Sequence, residues 1–165
     1  MTRTIQLERT YDASMDDVWD LWTTKDGIES WWGPDGFRVD VIELDLRAGG
    51  QLHYAMTAVG APQIAFMKQA GMPLVTKTRI SYTEVTRHKR LAYMNHVDFV
   101  PNQAPYENAM SVDFGPAPSG VRIVLTLSAM HDDDWTGRMV AGWESELGKL
   151  ERLVATRRGA AHKGG

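Results

Sequence analysis

Between Ile5 and Tyr11 apolar and polar positions alternate, with Ile5, Leu7 and Arg9 on one side, the period-two signature of a half-buried strand. At Ala13 the period changes. Ser14 stands where a helix N-cap is needed, and Asp16 and Asp17 follow in the first turn, where the helix dipole favours negative charge. Met15, Val18, Trp19 and Trp22 then share one helical face. Thr24 offers a second cap, opening a short helix through Ile28 to Trp31 or Trp32. Gly33-Pro34 ends it, because proline disfavours a helical residue before it.

From Gly36 the pattern predicts a meander of strands: residues 37–44, a Gly49-Gly50 turn, then a strand through Leu52, Tyr54 and Met56. Strands resume over residues 77–85, 90–99, 106–114 and 121–129, with residues 115–120 as a plain hairpin loop, giving about seven strands in all. The intervening segment 59–75 carries two prolines and two internal glycines, yet Ile64-Ala65-Phe66-Met67 is too apolar for a solvated loop. It reads as a flap, with room for one helical turn. After His131-Asp132-Asp133-Asp134 the spacing becomes helical: Trp135, Met139, Trp143, Leu147, Leu150 and Val154 step by four, four, four, three and four. Arg157, Arg158 and Gly159 close this long amphipathic helix, which at about 1.5 Å per residue crosses a whole small sheet.

The order is strand, two helices, about six strands and a long helix, with no repeat or linker, which predicts an α+β layer pair. A single domain is expected over residues 1–158, with 159–165 as a flexible tail. At 165 residues, 43% hydrophobic and 24% charged, the chain has enough core to fold unaided. Eighteen basic against 21 acidic residues give a net charge of −3 with no basic run, so nucleic acid is not an expected partner. The absence of cysteine excludes disulfides, thiolate nucleophiles and cysteine-ligated metals. The N-terminus leads into the strand pattern rather than a signal-peptide core, and no apolar run has membrane-helix length. A cytoplasmic protein without membrane insertion is expected.

Several short marks, read in order, carry a resemblance: Arg9-Thr10-Tyr11-Asp12-Ala13-Ser14 with Val18-Trp19 following, the Trp31-Trp32-Gly33-Pro34 break, and the turn Leu46-Arg47-Ala48-Gly49-Gly50. Then come the hairpin from Glu84-Val85 to Arg90-Leu91 and Gly142-Trp143 ahead of Leu147, Leu150 and Leu153. Together they resemble the activator of Hsp90 ATPase homologues, a branch of the START/birch-pollen-allergen-like (SRPBCC) superfamily. The resemblance implies a helix-grip fold: a curved antiparallel sheet wrapped around the C-terminal helix, with a cavity between them. The longer segment at 59–75 departs from the commoner pattern.

Strand alternation places Leu52, Tyr54 and Met56 on one face, with Ile80 and Tyr82, then Leu91, Tyr93 and Asn95, then Asn108, Met110 and Val112, and finally Ile123, Leu125 and Leu127. These faces should meet the helix, whose Met139 and Trp143 would roof a pocket, while Phe66 and Met67 on the flap would close its mouth. Trp31 and Trp32 are adjacent, so one faces the core and the other the cavity mouth or solvent. The candidate ligand-binding set is therefore Trp32, Tyr54, Met56, Phe66, Met67, Tyr82, Tyr93, Asn95, Asn108, Met110, Met139 and Trp143, polar tips on mostly apolar walls. Met and aromatic stripes at such spacings equally describe an ordinary core.

Enzyme chemistry finds little support. The five histidines lack paired metal-ligand spacing, His53 and His96 fall on the outward strand face, and Asp132-Asp133-Asp134 is explained by the helix start. No phosphate-binding glycine loop or nucleophile elbow is present. No metal, cofactor or catalytic residue is expected, although Tyr82 or Glu84, if inward, could move a proton. The leading expectation is a binding module for a small hydrophobic or amphipathic molecule. The alternatives are a co-chaperone contact with Hsp90, with the stress-response role its family label carries, and a cyclase-like enzyme on an aromatic or polyketide ligand. A pocket carboxylate or histidine with a shifted pKa would mark the enzyme. A homodimer remains open.

Overall fold

In the computed structural model, which describes residues 3–98 and 100–163, the N-terminal alternation forms strand β1 (Thr4–Tyr11). The Ser14 hydroxyl accepts from the Asp17 amide at 3.1 Å and starts α1 (Met15–Thr23). The Thr24 hydroxyl accepts from the Gly27 amide at 3.0 Å and starts α2 (Lys25–Trp31). Then come β2 (Phe37–Leu44), β3 (Gln51–Ala58), α3 (Ala61–Gln69), β4 (Val75–Thr86), β5 (Arg90–Val97), β6 (Tyr106–Ala117), β7 (Gly120–Ser128) and α4 (Asp133–Lys163).

The seven strands form one antiparallel sheet in the order β1-β7-β6-β5-β4-β3-β2. β1 and β2 are consecutive in the chain yet lie at opposite edges, so α1 and α2 carry the chain from one edge to the other. The inward faces of the strands and one stripe of α4 share a core in which Ile80, Leu91, Val112, Ile123 and Leu125 are joined by Leu147, Leu150 and Val154. Each fully buried aliphatic side chain there contributes about 2 kcal/mol. Arg9, inward on β1, reaches across to Glu144 of α4 at 3.3 Å.

The structure moves several expected boundaries. The flap is a nine-residue helix, α3, begun by Pro62 in its first turn, where a missing N–H costs nothing. Residues 115–117 continue β6, leaving a tight turn before Gly120 in place of the broad hairpin loop. α4 runs on through Gly159 to Lys163, since glycine inside a helix costs only about 1 kcal/mol and no proline follows. Gly164 and Gly165 lie outside the described residues, as does Phe99 at the end of the strand expected over 90–99.

One irregularity changes which residues face inward. The β4–β5 register shifts between Tyr82 and Glu84, so Tyr82 opposes Tyr93 while Val85 opposes Leu91. Thr83 is the extra residue of a bulge, and it turns Glu84 off the inward face that strict alternation gave it. Glu84 instead meets Arg90 at 3.3 Å, and Arg90 pairs with Asp113 at 2.8 Å.

Candidate functional site

Between the sheet and the first half of α4 lies a cavity of about 330 Å³, within the size range of small-molecule sites. Tyr54 and Met56 of β3, Thr78 and Ile80 of β4, Asn95 of β5 and Asn108 of β6 form its floor. Trp135, Arg138, Met139, Gly142, Trp143 and Glu146, one face of α4, form its roof, and Trp32 and Pro34 line it from the turn after α2. The space exists partly because position 142 has no side chain: a Cβ built there would meet nothing within 4 Å.

The aromatic walls are held by other aromatics. Trp143 stacks on Trp22 with ring centres 6.1 Å apart and planes 9° from parallel, and meets Trp32 edge-on at 5.3 Å. Trp31 packs against Trp22 at 4.7 Å and donates its indole N–H to the Leu21 carbonyl at 2.7 Å. Fixed neighbours of this kind make Trp32 and Trp143 rigid surfaces for a flat apolar molecule.

The polar side chains sit at separate points. Asn108 donates to the Ser128 carbonyl at 3.0 Å, with the same amide nitrogen 3.9 Å from the Met139 sulfur. Burial and the nearby Glu146 charge push the Tyr54 hydroxyl up to about 12, with the side chains of Trp32 and Thr78 acting in the other direction. Glu146 is 9% exposed and its Oε1 accepts from the Gly33 amide at 2.7 Å. Burial pushes this carboxyl up to about 7, against the Gly33 hydrogen bond and the Lys149 charge, which both lower it. Lys149 donates to the Gly33 carbonyl at 3.0 Å, so α4 holds both ends of one residue. Gly33 can occupy that latch because its φ is +88° and an added Cβ would approach the Val39 side chain at 2.9 Å.

Of the candidate set, Trp32, Tyr54, Met56, Asn95, Asn108, Met139 and Trp143 are brought together around the cavity. Trp31 and Trp32 are both buried, so neither faces solvent; Trp32 takes the cavity side. Tyr82, Tyr93 and Met110 do point inward, but they lie deeper in the core and outside the lining, with Trp32 packed 6.5 Å from the Tyr93 ring. Phe66 is 63% exposed and Met67 is buried on α3, and neither reaches the cavity, because the flap folds back to bond Val59 and Gly60 to the Gly36 carbonyl. His96, expected outward, faces Glu107 at 3.5 Å yet also contributes to the lining beside the last residue of β5.

Glu146 escaped the sequence reading although its position signalled it: it follows Met139 by seven and Trp143 by three, on the same helical face. Arg138 was also missed; its guanidinium lies 4.8 Å over the Trp135 ring. Among the described residues no group of three or more His, Asp or Glu side chains is placed to hold a metal ion. No described helix is long and apolar enough to cross a membrane.

A family model described as activator of Hsp90 ATPase homolog 1-like protein matches residues 12–155. The chain belongs to this family. Its fold recurs in solved structures: a Chromobacterium violaceum protein aligns with TM-score 0.73 at 21% identity, covering 92% of this chain and 96% of that one. The AHSA1 protein from Silicibacter pomeroyi aligns with TM-score 0.73 at 19% identity, covering 94% and 99%. The AHSA1-like protein from Aeromonas hydrophila gives 0.71 at 20%, covering 94% of each. Identities this low establish the fold alone, which is the helix-grip arrangement expected from the resemblance. Comparison with curated proteins returns no match.

Proposed function

We propose that this member of the activator of Hsp90 ATPase homolog 1-like family binds one small, mostly apolar molecule between its sheet and α4. The observation that carries the reading is the cavity itself: about 330 Å³ walled by Trp32, Trp143, Met56 and Met139, with a few polar groups at fixed points. Its lining of indoles and methionines beside a helix glycine that leaves the space unfilled is the form of a small-molecule site. A contact with Hsp90 ranks lower, because it rests on the family description alone.

The test is native mass spectrometry of the protein with a panel of bicyclic aromatic compounds. One-to-one complexes that weaken on Trp143→Ala are expected. A panel that gives no complex at any concentration up to its solubility would sink the reading.

One observation favours a second reading, a cyclase-like enzyme on an aromatic ligand: Glu146 is a buried cavity carboxyl pushed up to about 7, a value suited to proton transfer at neutral pH. It predicts that bound aromatic substrates are converted to product, and recovery of every bound compound unchanged after prolonged incubation counts against it.

A further inference from the structure

We propose that the cavity selects ligands carrying a protonated amine on an aromatic body, and that the Glu146 carboxylate is the group that recognises it. The inference rests on the cavity reading above and adds the charge of the occupant. Among the described residues Glu146 is the one buried side chain that can carry a full charge. A buried carboxylate is costly unless hydrogen bonds and an opposite charge meet it. Here the protein supplies little: one hydrogen bond, from the Gly33 amide, and no ion pair within 4 Å among the described residues. Lys149, the nearest candidate, turns its ammonium to the Gly33 carbonyl.

The remaining acceptor capacity of Glu146 belongs to the cavity it lines. Trp32, Tyr54 and Trp143 line the same space, and aromatic faces favour a cation that approaches them. Arg138, the cation of the lining, stands eight residues earlier on the helix, on the order of 12 Å away along its axis, so it lies at the opposite end of the cavity from Glu146. An ammonium placed at the Glu146 end therefore meets the carboxylate directly, while Lys149, the cation beside it, is held by the Gly33 carbonyl. A carboxylate there meets repulsion.

The charge of Glu146 depends on pH in the working range. The groups around it are Lys149 on α4, which acts on it directly; the Gly33 amide and Asp35 in the turn after α2, with Asp35 paired to Arg152 at 3.0 Å; and Tyr54 on β3. His96 and Arg138 complete the titratable lining. Burial pushes Glu146 up to about 7, so its charged fraction rises about tenfold between pH 6 and pH 8. An ammonium binds the charged form, so its affinity should rise with pH over that window, and binding near neutrality should release a proton.

The experiment is calorimetric titration of wild type and Glu146→Gln with three probes that share one ring system: 2-naphthylmethylamine, 2-naphthalenemethanol and 2-naphthoate. At pH 8 wild type should bind the amine about tenfold or more tighter than the alcohol, with naphthoate weakest. That advantage should shrink toward parity at pH 6, and Glu146→Gln should bind amine and alcohol alike at both pH values. The proposal is overturned if the alcohol or naphthoate matches the amine on wild type at pH 8, or if Glu146→Gln keeps the preference. Alcohol binding at pH 6 that is tighter than amine binding at pH 8 would likewise overturn it, since the protonated Glu146 would then be the form that recognises the ligand. Failure of all three probes to bind wild type would defeat the cavity reading itself, whereas alcohol binding without an amine preference defeats only this inference.

Discussion

At the scale of single residues the unusual member is Glu146, because its burial sets native stability against ionisation. Its folded pKa is about 7 against an ordinary 4.5, so between those values the native state holds a proton that the unfolded chain has lost. Unfolding then releases a proton, and stability falls as pH rises. The penalty is absent below about 4.5, grows through the window and is complete above about 7, reaching up to about 3 kcal/mol. Urea unfolding at pH 5 and pH 8 measures it directly. Wild type should lose more stability than Glu146→Gln between the two, by about 2 kcal/mol. Equal losses would mean that the carboxyl is not held in a low-dielectric site. Tyr82 and Tyr93 make the complementary case: their hydroxyls are buried with no hydrogen-bond partner among the described residues, and both are held above the ordinary tyrosine range by burial.

Among the elements, α4 has two tasks that separate along its length. Leu147, Leu150 and Val154 are buried in the core, while Trp135, Met139 and Trp143 roof the cavity. Gly142 is where the helix gives up stability for space, since glycine costs a helix about 1 kcal/mol against a good former. Gly142→Leu should therefore raise the midpoint of thermal unfolding while filling the cavity and abolishing ligand binding. A variant that is more stable yet binds as wild type does would show that the occupant sits elsewhere. Elements were also where the sequence was most and least readable. The caps at Ser14 and Thr24 and the α4 stripe follow from local hydrogen bonding and periodicity, and the structure has them in place. The bulge at Thr83 has no local signature, so strict alternation gives Glu84 an inward face that the register shift removes. The full length of α3 is not legible because its apolar residues do not repeat at helical spacing: Met67 is buried while Phe66 is exposed beside it.

For the whole molecule, the order of elements and the alternation within strands predict an α+β layer pair, the long helix and the side chains that face one another, while the curvature of the sheet around that helix comes from the family resemblance. The depth of each inward residue was not legible, because it depends on which indole fills the space above it. Trp32 covers Tyr93 and borders the cavity, and only the packing of Trp22, Trp31, Trp32 and Trp143 decides that. The same packing places Trp32 and Trp143, with Met56 and Met139, where a small apolar molecule between sheet and α4 would touch them. The most direct measurement is an NMR titration with 2-naphthalenemethanol that follows the indole N–H signals of the tryptophans and the methyl signals of the methionines. Saturable shifts at Trp32, Trp143, Met56 and Met139 are expected. Shifts centred on Met72 and the backbone around Phe66, or none at saturating probe, would contradict binding between sheet and α4.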